Sequence, residues 1–353
     1  MKDNIKYILI DPRCKINYAS YYLYGLYELI GPRKIKFAIL DYNIDSWRDL
    51  HKGFGMLVKY IGGKETKIFI DTNDPNSINE TFYDWCDIYA KINVSAADLH
   101  KEKVYAIGPS FGVKLWSPIK TVILALFNYI KVIGAKDNYK VPFLTYFKDY
   151  IYTFWRRTDY LNYISEYQDD RNYVFAVNTL WSGNVSLNTT NKFRSEFIYK
   201  CKNIFTTFEG GLFYIPGEEV HFPPYHQYRV ELKDILIDKR ITMKEYLKGT
   251  KRSAIVFNTP SVWHCHGWKL AEYLSMGKAI ISTPLSNVMP GEFINGVHYL
   301  CCDDISNMDG VIRCLQEDEG KREELKHNAK KYFEEYLSPY AVVNRILNKA
   351  FKQ

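Results

Sequence analysis

The chain has 353 residues, 47% of them hydrophobic and 25% charged, and a net charge of +7. This is ordinary globular composition at a length where one core rarely suffices, so two domains are expected. The charge is too modest for a dedicated nucleic-acid binder and suits anionic small molecules or an anionic membrane surface. Seven scattered cysteines without a CxxC pair argue against a disulfide framework and for a reduced, cytoplasmic setting.

The opening MKDNIKYILIDPR carries only a short apolar run, so it reads as the start of a fold and not as a secretion signal. KYILID (6–11) is a buried strand ending in Asp-Pro, followed by a helix through YASYYLYGLYELIG (18–31). IKFAILD (35–41), TKIFIDTND (66–74), DIYAKIN (87–93) and KVYAIGP (103–109) read as further strands. Strands that end in Asp, Asn or Gly before a helix predict a parallel sheet with its loops at the carboxyl edge.

The stretch 117–160 differs. SPIKTVILALFNYIKVIGAK has an apolar run too short to span a bilayer. From Lys120 to Arg157 there are seven Lys or Arg, two Asp and ten aromatics. Two readings are open: a buried helix with a domain linker, or an interfacial patch that touches an anionic membrane.

A second alternating block begins near 170. RNYVFAVNTLW (171–181) is a strand, NKFRSEFIYKCK (191–202) a helix, and IFTTFEGG (204–211) a strand ending in glycines. TMKEYLKGTKRS (242–253) is a helix and AIVFNTP (254–260) a strand. KAIISTP (278–284) and GVHYLCCDD (296–304) are strands, and amphipathic helices follow across 305–335 and 338–352. The economical architecture is α/β, with two doubly wound units. Residues 1–165 form the first domain, 166–337 the second, and 338–353 a final helix.

The strand–loop–helix–strand over 254–284 carries the chemistry. Gly267 opens a helix, and a helix N-terminus presents free N–H groups and the positive end of its dipole to an anion. A cation in the first turn is disfavoured by that dipole, so Lys269 makes sense as a partner of the amides around a diphosphate. Glu272 follows one turn later and could accept two hydrogen bonds from a ribose. The plain alternative is a solvated Lys269–Glu272 pair worth about 0.2–0.5 kcal/mol. His264 and His266 could bind a sugar, a phosphate or a metal, or be plain loop or core histidines, but third and fourth metal ligands at regular spacing are missing. No GxGxxG, P-loop or nucleophile elbow occurs.

Residues 242–300 resemble the C-terminal donor-binding domain of GT-B fold glycosyltransferases, in a wording similar to a bacterial surface-polysaccharide subgroup. Many members carry Glu-x7-Glu. Glu272 matches the second glutamate, LSMGKAIISTPL the segment after it, and Gly267 the helix-start glycine, while His264 stands at the place of the first glutamate. The resemblance implies two Rossmann-like doubly wound domains facing across a cleft, with SPYAVVNRILNKAFKQ (338–353) crossing back onto the first. It implies that Glu272 binds the ribose, that Gly267 and Lys269 hold the diphosphate, and that Arg194 supports them. Thr179 and Trp181 would face the cleft, and Glu209, ahead of Gly210 and Gly211, would end a strand near the nucleobase. His266, Trp268 and Thr283 complete the implied donor site.

The expected activity is metal-independent transfer of a sugar from a UDP- or GDP-sugar to a glycan or lipid-linked acceptor, in capsule, lipopolysaccharide or exopolysaccharide synthesis. Asp11, Asp41 and Asp71, at strand ends, are the candidates for a general base, and His264 is a further catalytic candidate. No cofactor, metal or nucleic acid is expected. The expected location is the cytoplasm, with a peripheral position at the inner face of the plasma membrane. A nucleotide-sugar epimerase of similar fold and a non-catalytic nucleotide-binding subunit are the alternatives. Product analysis with donor alone separates the first, and binding without turnover the second.

Overall fold

The computed structural model describes residues 2–42, 44, 50, 52–135, 140–182, 188–221, 223 and 225–352. The chain is α/β and divides into two compact units. The first comprises Met1–Tyr160, Asn287–Pro290 and Glu335–Gln353, and the second Leu161–Ser286 and Gly291–Glu334.

The first unit contains β1 (Ile5–Ile10), α1 (Ile16–Ile30), β2 (Ile35–Phe37), β3 (Phe54–Tyr60), β4 (Glu65–Asp71), α2 (Glu80–Trp85), β5 (Ile88–Lys91), β6 (Val104–Ala106), α3 (Pro118–Ile133) and α4 (Phe143–Arg156). Its strands form one sheet in the order β2-β1-β3-β4-β5-β6. The expected parallel sheet needs a correction here: β3 runs antiparallel to both β1 and β4. β3 reaches β4 through a tight turn at Gly62-Gly63, where Gly63 has φ +85°. Nearly all of β3 is buried, so it lacks the alternation that marks a half-exposed strand.

The chain's last helix, Pro339–Lys352, packs against α1 within this unit. The approach is close at Gly25, where an added Cβ would lie 2.0 Å from the Pro339 carbonyl oxygen. At the other end of α1, the Ile16 amide donates to Asp149 Oδ2 at 2.5 Å. The short segment Asn287–Pro290, expected in the second domain, joins the first unit, where the Val288 amide donates to the Val94 carbonyl at 2.9 Å.

The second unit contains α5 (Leu161–Ile164), β7 (Tyr173–Thr179), α6 (Asn188–Ile204), β8 (Thr207–Phe213), α7 (Glu218–His221), α8 (Tyr225–Glu231), β9 (Leu236–Ile237), α9 (Met243–Arg252), β10 (Ile255–Asn258), α10 (Trp268–Ser275), β11 (Ala279–Ser282), β12 (Leu300–Cys301), α11 (Met308–Glu317) and α12 (Glu319–Tyr332). The last helix of the chain is thus α13. Two parallel three-stranded sheets, β7-β8-β9 and β10-β11-β12, make up the layer. They adjoin along β7 and β10: the Ala254 amide donates to the Tyr173 carbonyl at 2.8 Å, and the Phe175 amide to Ser253 Oγ at 2.9 Å. The strands therefore run β9-β8-β7-β10-β11-β12, and chain order reverses between β7 and β10. Phe197 of α6 stacks on Phe257 of β10, with ring centroids 4.6 Å apart, inside a core that includes Val174, Leu212, Ile255, Ile281 and Ile312.

β8 also departs from expectation. Gly210 and Gly211 lie in the middle of the strand, not at its end. A Cβ at Gly210, whose φ is +115°, would fall 2.2 Å from the Ala176 carbonyl oxygen, so this glycine serves strand packing.

Candidate functional site

In an open α/β sheet, ligands bind outside the carboxyl ends of the strands where chain order reverses. In the second unit that point lies between Asn178-Thr179, ending β7, and Asn258-Thr259 at the end of β10. A cavity of about 130 Å³ opens there, lined by those four residues with Trp181, Arg194, Phe257, Ser261, Gly267, Trp268 and Lys269.

Two cations meet in this cavity. Arg194 of α6 is buried; its Nη1 donates to the Thr179 carbonyl and its Nε to Thr259 Oγ1, both at 2.8 Å. It thereby ties the ends of β7 and β10 together. Burial draws its pKa down to about 10, which still leaves a cation at neutral pH. Lys269 lies in the first turn of α10. Its Nζ donates to the Val177 carbonyl and, at 2.8 Å, to Asn178 Oδ1. Burial, then the charge of Arg194, lowers its pKa to about 7, with Glu272 opposing the shift. Among the described residues neither cation has a carboxylate within ion-pair distance; carbonyl and hydroxyl oxygens hold both. Arg194 is buried and Lys269 half-buried, so holding both charges side by side is costly, and an anion in the cavity removes that cost.

The helix start adds to this. Gly267 caps α10 without a side-chain hydrogen bond, at φ −72° and ψ 156°, which any residue adopts. A Cβ there would meet nothing nearer than Ser261 Cβ at 3.9 Å. The fold itself does not require glycine at this position, and its absent side chain leaves the helix amides open to the cavity. Trp181 lines the same cavity, and its indole N–H is buried with no hydrogen-bond partner among the described residues. Just upstream, Trp263 and His264 both take φ +56°, the only non-glycine residues with positive φ among those described. Such conformations cost about 1–3 kcal/mol each and concentrate at functional sites.

The cavity thus brings together six residues expected from the sequence: Thr179, Trp181, Arg194, Gly267, Trp268 and Lys269. It also includes Asn178, Asn258, Thr259 and Ser261, which no local sequence pattern marks. Their signal was position alone, at the ends of two strands whose adjacency the sequence does not reveal.

The other candidates lie elsewhere. Glu272 is only 4% exposed, does not line the cavity, and accepts a hydrogen bond from the Tyr246 hydroxyl at 2.7 Å. Lys269 turns to the end of β7 and not to Glu272, so the solvated pair is not made. His266 is buried and His264 exposed. Thr283 follows β11, its hydroxyl buried without a hydrogen-bond partner among the described residues. Glu209 lies within β8, opposite Phe175, and accepts from the Tyr173 hydroxyl at 2.8 Å. It lines a separate cavity of about 450 Å³ with Arg240, Lys248 and Arg252.

The strand-end acids of the first unit are already engaged by other groups. Asp11 is fully buried and accepts from Arg13 Nε at 2.8 Å, Arg13 Nη2 at 2.6 Å, the Arg13 amide at 2.8 Å and the Leu40 amide at 2.9 Å. A carboxylate saturated by a bidentate guanidinium has no lone pair left for a substrate proton, so Asp11 is a structural anchor. Asp71 is likewise buried against Lys91 Nζ and the Tyr89 hydroxyl, each at 2.6 Å. Asp41 is exposed but accepts from Trp85 Nε1 at 3.0 Å and Lys67 Nζ at 3.1 Å, contacts that hold its pKa below the ordinary carboxylate value. In the loop IGPSFG, Gly108 serves packing: a Cβ there would lie 2.6 Å from Leu337 and 2.8 Å from Pro290.

No protein-family model matches this chain, and no curated protein does. Solved structures offer distant likeness only. HepE of Anabaena in complex with UDP-glucose is 12% identical, with a TM-score of 0.41 over 80% of this chain and 63% of that one. A glycosyltransferase from Rickettsia africae is 9% identical, with a TM-score of 0.44 over 80% and 70%. A UDP-forming trehalose-phosphate synthase from Burkholderia xenovorans is 11% identical, with a TM-score of 0.40 over 70% and 51%.

Proposed function

We propose that the second unit binds the diphosphate of a nucleotide sugar and that the protein is a glycosyltransferase. The observation that carries this is the pair Arg194 and Lys269, two basic groups with no carboxylate at ion-pair distance among the described residues, in one small cavity beside a glycine-opened helix at the sheet's point of reversal. At about 130 Å³ the cavity suits a diphosphate. Whole-ligand pockets run to roughly 300–1,000 Å³, so the nucleoside and sugar extend beyond it.

When the glycosidic bond breaks, negative charge builds on the leaving diphosphate. Fixed donors aimed at that charge stabilise it without reorganising. Arg194, protonated Lys269, the Trp181 indole N–H and the first amides of α10 supply such donors, which supports a metal-independent transfer needing no cofactor. His264, on the strained loop ahead of α10, is the proposed catalytic group of this unit. Glu272 keeps its proposed ribose role on the condition that it exchanges its bond to Tyr246 for the sugar hydroxyls. The proposed donor is a UDP- or GDP-sugar. The proposed acceptor is a glycan or lipid-linked sugar of surface-polysaccharide synthesis, met by a cytoplasmic protein at the inner face of the plasma membrane.

Thermal shift with UDP, GDP, CMP and TDP tests the reading, since a true ligand raises the melting temperature with concentration. One diphosphate should stabilise the protein, and Lys269→Ala should weaken it at least tenfold, the scale of a lost charge-assisted contact, while free nucleoside binding is unchanged. Glu272→Ala should remove any preference for that nucleotide over its 2′,3′-dideoxy analogue. Equal loss of nucleotide and nucleoside on Lys269→Ala would sink the diphosphate site. Unaltered discrimination on Glu272→Ala would leave that carboxylate a structural partner of Tyr246. Product analysis with donor alone then separates transfer from epimerisation.

A further inference from the structure

The helices α3 and α4 of the first unit are built inside out. On α3 the buried residues are Thr121, Ala125, Asn128 and Val132, one narrow stripe of mostly small or polar side chains. Ile119, Ile123, Phe127 and Ile130, on the remaining surface, are exposed, Phe127 by 62%. On α4, Tyr146, Tyr150 and Thr153 face inward, while Leu144 and Trp155 are each 75% exposed. The contacts between the two helices are partly polar: Asn128 Nδ2 donates to the Tyr150 hydroxyl at 3.0 Å, and Tyr129 meets Phe143 edge-on at 5.1 Å between ring centroids. A helix on a water-facing surface shows the opposite pattern, so this apolar face is made for something other than water.

The charges say what. Lys120, Lys140, Lys148 and Arg156 are exposed around the apolar face. Among the described residues of 118–157 the only acid is Asp149, and it is turned inward onto the start of α1. Lys148 and Arg156 flank the Tyr152 ring, at 5.4 and 4.4 Å from its centroid. A second copy of this chain, docked by a two-fold axis, would set these cations against each other. An anionic lipid surface matches them. No helix among the described residues is long and apolar enough to cross a membrane. α3, with its 16 residues, spans about 24 Å, short of the roughly 30 Å hydrocarbon layer.

We propose that α3 and α4 form a docking surface for an anionic bilayer, with the apolar face inserted at the headgroup level and the lysines and arginine on the lipid phosphates. Trp155 and Tyr152 supply the amphipathic rings that settle at such an interface. This surface lies in the first unit and does not depend on the nucleotide reading.

The test is co-sedimentation of the full chain with phosphatidylcholine vesicles, pure or mixed with phosphatidylglycerol, at low and high salt. Binding should need the anionic lipid and weaken with salt. Lys120→Gln with Lys148→Gln should cut it roughly tenfold or more, and Phe127→Ser with Leu144→Ser by roughly a hundredfold. All four positions are exposed, so circular dichroism and nucleotide-induced thermal shift should stay unchanged in these variants. Mixed vesicles should also shift tryptophan emission to the blue, and Trp155→Phe should remove most of that shift. Equal binding to neutral vesicles, or full binding by the serine variant, would overturn the proposal. So would a dimer that the serine variant dissolves, in a protein that ignores vesicles.

Discussion

Lys269 stands where two tendencies oppose each other. Burial and the neighbouring Arg194 bring its pKa to about 7, whereas a bound diphosphate favours the charged amine. The sign follows from linkage. The folded pKa lies below the ordinary 10.5, so between pH 7 and 10.5 the unfolded chain holds the extra proton and this group's contribution to stability rises with pH. Below about pH 7 both states are protonated and the full cost of the buried cation is present. Nucleotide binding runs the other way. At pH 8 the free Lys269 amine is largely neutral while Arg194 keeps its charge, so binding a diphosphate should take up close to one proton, and affinity should fall by up to about tenfold per pH unit above 7. Calorimetry in HEPES and in Tris, buffers of different ionisation heat, reads this uptake directly. Lys269→Met should abolish it; no uptake by the wild-type protein at pH 8 would mean that the lysine does not meet the ligand.

At the scale of elements, two glycines beside helices make opposite predictions. Gly25 of α1 is fixed by packing, because a Cβ would sit 2.0 Å from the Pro339 carbonyl oxygen. Gly25→Ala should force α1 and α13 apart, lowering stability by about 1–3 kcal/mol or more, with nucleotide affinity unchanged. At Gly267 a Cβ has 3.9 Å of room and the backbone angles are ordinary. Gly267→Ala should stay within about 1 kcal/mol of the parent in urea unfolding yet weaken nucleotide binding markedly. Comparable destabilisation by both substitutions would make Gly267 a structural residue. The sequence made α10 and its glycine legible, because a glycine breaker, a lysine in the first turn and an apolar stripe are local signals. It hid β3, whose two buried faces erase the alternation that identifies a strand. Glu272 was visible as a residue of α10, but its burial against Tyr246 was not, because that contact depends on how α9 packs beside it.

At the scale of the whole molecule, what stayed hidden was adjacency. Residues 171–181 and 254–260 read as strands, yet nothing local says that β7 and β10 are neighbours, and that pairing is what draws Asn178, Thr179, Asn258 and Thr259 around Arg194 and Lys269. Nor does a local pattern assign Asn287–Pro290 to the first unit, since that depends on a single crossing segment meeting Val94. The two units nonetheless have separate sheets, and the proposed nucleotide site lies within one of them. A ligand that binds only the folded form adds about 2.7 kcal/mol at a hundredfold excess over its dissociation constant. Amides of β7, β10 and α10 that exchange only when the second unit opens should therefore slow by about a hundredfold with saturating UDP or GDP, whichever stabilises the protein. Amides of β1, β3 and β4 should exchange at their unliganded rates, which hydrogen exchange with mass spectrometry resolves peptide by peptide. Protection confined to the first unit would place the nucleotide away from Arg194 and Lys269, and with it the diphosphate site would fall.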